Sequence, residues 1–289
     1  MSEALTAGFE AARPQLRAVA YRMLGSIDDA EDAVQEAWLR LSRTDQPIEN
    51  LDAWLTTVVA RICLNTLRDR REDVVEQLPD PIVDAVGEFD PEHRAMLADA
   101  VGLALFVVLD TLPPAERLAF VLHDAFAVPF DQIAPILDRS AEATRKLASR
   151  ARRRIRQAGP VPDGELAAQH DAVAAFFAAG RSGDFDRLVS VLDPDVVLRG
   201  DFGATKAGRA AGFRAEGASS VAKLARSYAG PEREVRAATV NGAAGAVIFV
   251  AGQPSAVMGF LVRDGRIAAI DVLADPQRIG SLDLSAVDG

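Results

Sequence analysis

Apolar residues recur at three- and four-residue intervals over residues 8–71 and 93–157, and this spacing predicts amphipathic helices. One run, which Ser26 can cap and Pro47 ends, has its apolar positions at Ala30, Ala33, Val34, Ala37, Trp38 and Leu41. Further helices are predicted after Asn50 and over residues 97–109, 130–137 and 140–155. The last two, with the turn Asp138-Arg139-Ser140 between them, are typical of a helix-turn-helix.

The pattern changes after a stretch rich in proline and glycine at residues 159–164. One helix is predicted at 166–180, followed by strand-like runs at 196–199, 234–240, 246–250, 256–262 and 266–273. Gly242, Gly252 and the pair Asp264-Gly265 mark turns between the later runs. This order predicts an α+β domain with a curved antiparallel sheet.

The predicted architecture is multidomain, with two all-α domains, of which the second carries the helix-turn-helix, and one α+β domain. Residues 73–92 contain three prolines and many acidic residues, and we expect them to form an extended linker. The predicted segments are a helical domain at 1–72, the acidic linker at 73–92, a helical domain at 93–158, a second linker at 159–164 and the α+β domain at 165–289.

The charge of the 289-residue chain is −10, which on first reading argues against nucleic acid as a partner. The distribution of charge along the chain weakens this argument, because residues 73–138 carry a net charge of −11 and residues 139–162 carry a net charge of +7. The chain has one cysteine, so no disulfide can form within it, and no secretory signal or membrane-spanning run is visible. We therefore expect a cytoplasmic protein without a membrane partner.

The basic helix is the first candidate site, because early residues of a recognition helix meet base edges and later cations meet phosphates. The polar residues expected to face DNA are Ser140, Thr144, Arg145, Lys146, Arg150, Arg152 and Arg153. A solvated basic helix end is the alternative. On the second predicted helix, Trp54, Arg61, Asn65 and Arg68 suit stacking and hydrogen bonding with exposed bases, although Trp54 fits a core position equally well.

An acidic face on the first capped helix is a further candidate, formed by Asp29, Asp32, Gln35 and Glu36. A solvated face and a docking surface for a basic protein both fit it. Enzyme motifs are absent, and the three histidines lack the spacing of a metal site. We expect no catalytic residue, no metal and no cofactor, since Asp195, Asp201, Asp271 and His170 are isolated acid–base groups.

These motifs together resemble a family. Residues 20–36, from Ala20-Tyr21-Arg22 to Val34-Gln35-Glu36, are similar to the polymerase-binding motif of extracytoplasmic-function sigma factors. Residues 53–65 resemble that family's −10 helix, and Leu112-Pro113-Pro114-Ala115-Glu116-Arg117 with Ser149-Arg150-Ala151-Arg152 resembles its region 4, which reads the −35 element. The resemblance implies that the acidic face binds core RNA polymerase, that Trp54, Arg61, Asn65 and Arg68 contact promoter DNA, and that Ser149 joins the residues facing DNA.

Residues 165–289 are similar to the SnoaL-like cone that is fused to one subgroup of these factors. The resemblance rests on a linker motif that here reads Gln77-Leu78-Pro79-Asp80-Pro81, a loop at 201–206 and a terminal motif at 275–279. It implies regulation of sigma activity by the cone. The implied interdomain residues are Leu78, Pro79, Asp80, Pro81, Asp201, Lys206, Asp275, Pro276 and Arg278.

The sequence thus predicts a sigma factor that binds core RNA polymerase, directs recognition of −10 and −35 promoter elements and is regulated by its own C-terminal domain. The alternative is a one-component DNA-binding regulator whose SnoaL-like domain binds a hydrophobic small molecule or retains isomerase activity. Phe176, Phe177, Phe202, Phe213, Phe249, Met258 and Phe260 are the candidate lining of such a ligand pocket, or simply core. A repressor without polymerase contact is a third hypothesis.

Overall fold

A computed structural model describes residues 3–44, 47–69, 78–87, 90–97, 102–159, 164–204, 210–228 and 230–287. The chain forms two compact units and passes between them several times. The first, which we call the helical unit, comprises Met1–Val74, Pro91–Asp99 and Val108–Gly159. The second, the sheet unit, comprises Val75–Asp90, Ala100–Val107 and Pro160–Gly289.

The first half of the chain is helical apart from one short strand. In chain order the elements are α1 (Glu3–Leu24), α2 (Ile27–Ser42), α3 (Leu51–Asp69), β1 (Val83–Asp84), α4 (Pro91–Leu97), α5 (Leu103–Asp110), α6 (Pro114–Phe120), α7 (Phe130–Leu137) and α8 (Ala141–Ala158). A π-helical turn at Val121–Ala125 continues α6. Strand β1 and the first five residues of α5 belong to the sheet unit, and the other elements belong to the helical unit.

The helix boundaries follow from local sequence. The Ser26 hydroxyl accepts the Asp29 N–H at 3.3 Å and begins α2, whose buried residues are the predicted Ala30, Ala33, Val34, Ala37 and Leu41. The Ser140 hydroxyl accepts the Ala143 N–H at 3.2 Å and begins α8 in the same way. Both predicted caps are confirmed.

The predicted helix-turn-helix is α7, a short turn and α8. Asp138 ends α7 in the left-handed region (φ 59°), a conformation that Asp tolerates better than most residues. The apolar residues of α7 and α8 face each other, with Ile133, Leu137, Ala148 and Ala151 buried. In the same unit, α3 packs against α6 and α7, so the two predicted helical domains form one compact body.

The sheet unit is built around a seven-stranded sheet of described residues. After β1 its elements are α9 (Leu166–Ser182), α10 (Phe185–Val191), β2 (Leu192–Ala204), β3 (Ala210–Glu216), α11 (Ala218–Ser227), β4 (Arg233–Val240), β5 (Ala243–Val250), β6 (Gln253–Arg263), β7 (Arg266–Leu273) and α12 (Pro276–Ser281). The strand order is β1-β4-β5-β6-β7-β2-β3, and neighbouring strands are antiparallel except β7 and β2. The predicted fold class is confirmed, and the parallel pair is a feature that the strand pattern did not predict.

Two apolar clusters stabilise the sheet. One joins α9, α10 and α11 to the strands through residues such as Val173, Phe176, Leu188 and Val221. The other includes Val83 of β1, with Val240, Phe249, Leu273, Ile279 and Val287. The linker strand β1 is thus part of the sheet's own core.

Several elements were absent from the sequence prediction. Residues 73–92 were expected to form an extended linker, but residues 83–84 form β1 and Pro91 already begins α4. Strand β3 reads AAGFRAE, and its small and charged residues lack the β-branched signature of strands. Helices α10, α11 and α12 were also missed, since each has ten or fewer residues.

Candidate polymerase, promoter and linker-binding surfaces

Helix α2 presents the predicted acidic face. Asp32 and Gln35 are exposed, whereas Asp29 and Glu36 are partly buried. Glu36 accepts from Arg40 at 2.8 Å one turn later, an exposed pair that contributes little to stability. Glu31 points away from this face and pairs with Arg17 of α1 at 2.5 Å. The outward carboxylates leave a surface suited to a basic partner.

Helix α3 presents three of its four predicted DNA-contacting residues to solvent. Arg61, Asn65 and Arg68 are exposed and lie on one side at intervals of three and four residues, whereas Trp54 is partly buried. Guanidinium groups and a side-chain amide at this spacing can bind phosphates and base edges.

In the helical unit these residues line a groove of about 390 Å³ whose other wall is the end of α7, Pro135–Asp138. The Arg61 guanidinium donates to the Pro135 carbonyl at 3.4 Å across this groove. Region-4-like residues therefore cover part of the α3 surface in this arrangement.

Helix α8 carries the predicted cluster of cations. Arg145, Lys146, Ser149, Arg150 and Arg153 are exposed. Arg152 pairs with Asp124 at 2.6 Å, and Arg154 pairs with Glu116 at 3.1 Å. These two pairs connect α8 to α6 and to the π-helical turn, which fixes the orientation of the recognition helix.

Thr144 differs from its prediction. Its side chain is fully buried, and its hydroxyl donates to the Ser140 carbonyl at 3.0 Å. A buried hydroxyl that is already used within the helix cannot reach a base edge, so we leave Thr144 out of the DNA-facing set. Its apolar side points to the same interior as Ala148, one turn further along α8.

An unpredicted arginine connects α6 to α1. Arg117 is 2% exposed, and its Nε and Nη2 donate to the Arg22 carbonyl at 3.0 and 2.9 Å. Its Nη1 donates to Asp110. The Arg22 carbonyl lies in the last turn of α1, where backbone acceptors lack partners within the helix, so Arg117 caps that end. The sequence shows Arg117 only as an arginine in a family motif.

Within the sheet unit, one arginine and one aspartate bind the linker residues 78–80. Arg278 of α12 donates to Asp80 (2.5 and 2.9 Å), to Asp201 (2.7 Å) and to the Leu78 carbonyl (2.5 Å). The Asp201 carboxylate also accepts the N–H groups of Leu78 at 3.0 Å and Gly203 at 2.9 Å. Asp201 and Arg278 thus satisfy both polar backbone groups of Leu78. The resemblance predicted these residues only as a set, without their contacts.

The other predicted linker-binding residues have supporting positions. Pro79 and Pro81 are buried. Asp275 caps α12 by accepting the Gln277 N–H at 2.9 Å, and Pro276 occupies the first turn. A side chain on Gly203, which has φ 78°, would overlap the Asp275 carboxylate. Lys206 lies outside the described residues.

Two of the four isolated acid–base groups named from the sequence, Asp201 and Asp271, are held by arginines. Asp271 is 2% exposed and pairs with Arg199 at 2.6 and 3.1 Å. Burial raises the pKa of Asp271, and the Arg199 guanidinium opposes that shift without cancelling it. Asp201 accepts from three donors, as described above. Among the described residues, no group of three or more His, Cys, Asp and Glu is placed to hold a metal ion.

The aromatic residues of the sheet unit do not form one lining. Phe176, Phe177 and Phe260 make edge-to-face contacts with ring centroids 5.4–5.8 Å apart. Phe202 and Phe213 stack separately at 5.5 Å, and Phe249 lies in the other cluster beneath Arg236.

Among the helices of described residues, none is both long and apolar enough to cross a membrane.

Comparisons with known proteins identify the family of the chain. Residues 9–72 match Sigma-70 region 2, and residues 103–155 match Sigma-70 region 4. The chain is 39% identical over 287 residues to the ECF RNA polymerase sigma factor SigJ of Mycobacterium tuberculosis, covering 93% of this chain and 91% of that protein. It is 35% identical to a probable ECF sigma factor, SigI, of the same species, covering 96% of each chain.

The likeness extends to the architecture. The crystal structure of M. tuberculosis SigJ matches with a TM-score of 0.75 and 37% identity, covering 96% of this chain and 99% of that one. The match therefore includes the sheet unit as well as the sigma regions. The chain belongs to the extracytoplasmic-function sigma factors, which bind RNA polymerase and direct transcription initiation at promoters.

Proposed function

We propose that three surfaces of this sigma factor bind three different targets. The acidic face of α2 binds basic residues of core RNA polymerase, α3 contacts the −10 element, and α8 contacts the −35 element. The exposure of Asp32 and Gln35 supports the first assignment, and the exposed cations of α3 and α8 support the other two. Because polymerase and promoter DNA lie in the cytoplasm, that compartment is the proposed site of action.

The sheet unit, in this proposal, regulates the factor by holding the linker and has no catalytic role. The observation that carries it is the set of Arg278 contacts to Leu78, Asp80 and Asp201. Asp201 is a poor general base, since an arginine and two backbone N–H groups already bind its carboxylate.

Transcription with core polymerase tests this regulation. We expect Arg278→Met to release residues 78–80 and to change the yield of transcript at limiting core severalfold, because it removes charge-assisted hydrogen bonds from a mostly buried site. Arg266→Met, on the exposed β6–β7 hairpin, is the matched control. Equal yields from wild type, Arg278→Met and the control would contradict regulation through the linker.

A hydrophobic ligand of the sheet unit is the second candidate function. The edge-to-face cluster of Phe176, Phe177 and Phe260 favours it, since Phe177 is only partly buried and offers an aromatic surface to a ligand. A thermal-shift screen of the full chain with apolar small molecules tests it. Stabilisation by a compound, lost in Phe177→Ala, would support a sensor, and no shift with any compound would leave the cluster as core alone.

The alternative of a DNA-binding regulator without polymerase is distinguished by a pull-down. Core polymerase should be retained by the wild-type chain and lost with Asp32→Lys, which reverses charge at an exposed position of α2. Retention by neither chain would contradict the polymerase-binding assignment.

A further inference from the structure

The turn between β4 and β5 contacts two positions, Ile82 and Gly102, of the segment that joins the two sigma regions. Asn241 is fully buried, with φ 50°. Its N–H donates to the Ile82 carbonyl at 2.8 Å, and its Oδ1 accepts the Ile82 N–H at 3.1 Å. Its carbonyl accepts the Gly102 N–H at 2.8 Å. One residue therefore binds chain positions that are twenty residues apart.

We propose that Asn241 is a clasp, closing residues 82–102 into a loop and limiting how far the two promoter-reading regions can separate. The inference rests on the proposed assignment of α3 and α8 to the −10 and −35 elements. It adds to the Arg278 contacts, which hold only the first end of the linker at residues 78–80.

The residue type fits this role. The left-handed backbone region is open mainly to Gly, Asn and Asp, and of these Asn supplies a short neutral acceptor. A buried Asp would bring a charge into a site that offers no solvent. The turn thus needs both the backbone conformation and the amide oxygen of Asn241.

Packing extends the clasp at each end. Val83 pairs with Val240, which continues the Ile82 contacts into strand β1. On the other side Leu103 is 2% exposed and lies over Gly259, where an added Cβ would be 3.1 Å from the Leu103 Cβ. The absence of a side chain at Gly259 makes room for the first residue of α5.

The length of the segment between Asp69 and Leu103 limits how far apart the two promoter-reading regions can lie, and the clasp would shorten this span. Elements named −10 and −35 lie about 25 base pairs apart, or about 85 Å of duplex. A free chain from Asp69 to Leu103 can span about 115 Å at roughly 3.4 Å per residue. With Ile82 joined to Gly102 the span falls to about 45–50 Å. The released segment exceeds the promoter separation, and the clasped segment does not reach it.

A second contact also shortens the segment. Helix α4 lies inside the loop and packs on α1, with the Arg22 Nε donating to the Met96 carbonyl at 3.4 Å. Release of α4 alone leaves the clasped span. Full extension also needs the Arg278 contacts at residues 78–80 and the packing of α3 on α6 and α7 to open. Each of these contacts adds to the free energy of extension, so weakening Asn241 lowers the total.

Two variants of the full chain test the proposal. Asn241→Gly keeps the left-handed turn and its backbone hydrogen bonds but removes the amide acceptor, and Gly259→Val displaces Leu103 from the other end. Asp264→Gly, at an exposed left-handed position in the β6–β7 turn, is the control. The readouts are amide exchange at residues 82–84 and 102–107, and transcription at limiting core from a promoter selected with the wild-type holoenzyme.

We expect Asn241→Gly to speed exchange of residues 82–84 about tenfold, as for loss of one buried hydrogen bond, and to raise transcription severalfold. Gly259→Val should do the same for residues 102–107, and Asp264→Gly should match wild type. Faster exchange with unchanged transcription would overturn the proposal, and so would unchanged exchange. The assignment of α3 and α8 to the promoter elements is tested separately. If that assignment is wrong, Arg61→Ala and Arg153→Ala will leave transcription from the same promoter unaltered.

Discussion

The Arg117 contact between α6 and α1 gives a quantitative prediction for the helical unit. Arg117→Met removes two donors from the Arg22 carbonyl and one from Asp110 while retaining most of the buried volume. Breaking a buried charged contact costs about 3–5 kcal/mol. Asp110 is 35% exposed and can be rehydrated, so we expect a smaller loss, about 2–4 kcal/mol.

Cys63 supplies the assay. It is the chain's one cysteine, it is fully buried, and burial raises the pKa of its thiol to about 12. A thiol reagent therefore reacts only after the helical unit opens. A loss of about 2–4 kcal/mol should speed labelling by roughly 30- to 1,000-fold. In the closed unit the charge of Arg117 lowers the Cys63 pKa, so its removal cannot by itself make the thiol more reactive, and faster labelling must come from opening.

Two further variants sharpen the test. Arg117→Lys keeps the charge but loses the planar array of donors, so its labelling rate should lie between those of wild type and Arg117→Met. Arg40→Ala removes only the exposed pair with Glu36 and should change the rate less than threefold. If Arg117→Met is labelled within threefold of wild type, the contact does not stabilise the closed helical unit.

Three other measurements follow from the structure. The pKa of Asp271 is raised above the ordinary Asp value of about 4, and between these two pKa values the folded chain binds a proton that the unfolded chain has released. The free energy of unfolding should therefore fall as pH rises through this window. Asp271→Asn should remove that pH dependence in urea titrations. Arg153→Ala should lower the slope of log K against log salt for DNA binding by about one, since Arg153 is an exposed cation of α8. Asp80→Asn should increase proteolysis near residue 78 severalfold, because it removes a charged partner of Arg278.

The helices of this fold could be predicted from sequence because their signals are local. Ser26 and Ser140 act on N–H groups three residues away, and apolar spacing defines the buried faces of α2 and α8. Thr144 shows the limit of that reasoning. Its spacing on α8 coincides with the buried Ala148, so its polarity suggested an exposed role that its position on the helix does not allow.

The linker site could be predicted only as a set of residues. The family resemblance named Asp201 and Arg278, but their contacts with residue 78 join positions more than a hundred residues apart. The sequence shows Asn241 only as the residue before the turn glycine Gly242, and Arg117 only as part of a family motif. It does not show their contacts, since each acts on backbone groups distant in sequence. Strand β1 has two residues, too few for any periodicity.

The pairing of β1 with β4 also imposes an order on biosynthesis. Val83 finds its partner Val240 only after some 157 further residues have been added, which takes roughly 8–30 s at bacterial elongation rates of about 5–20 residues per second. Both sigma regions leave the ribosome during that interval, while the sheet unit is still incomplete. Under the proposed regulation, a newly made molecule passes through a period before the sheet unit can hold the linker, and the rate of translation sets how long that period lasts.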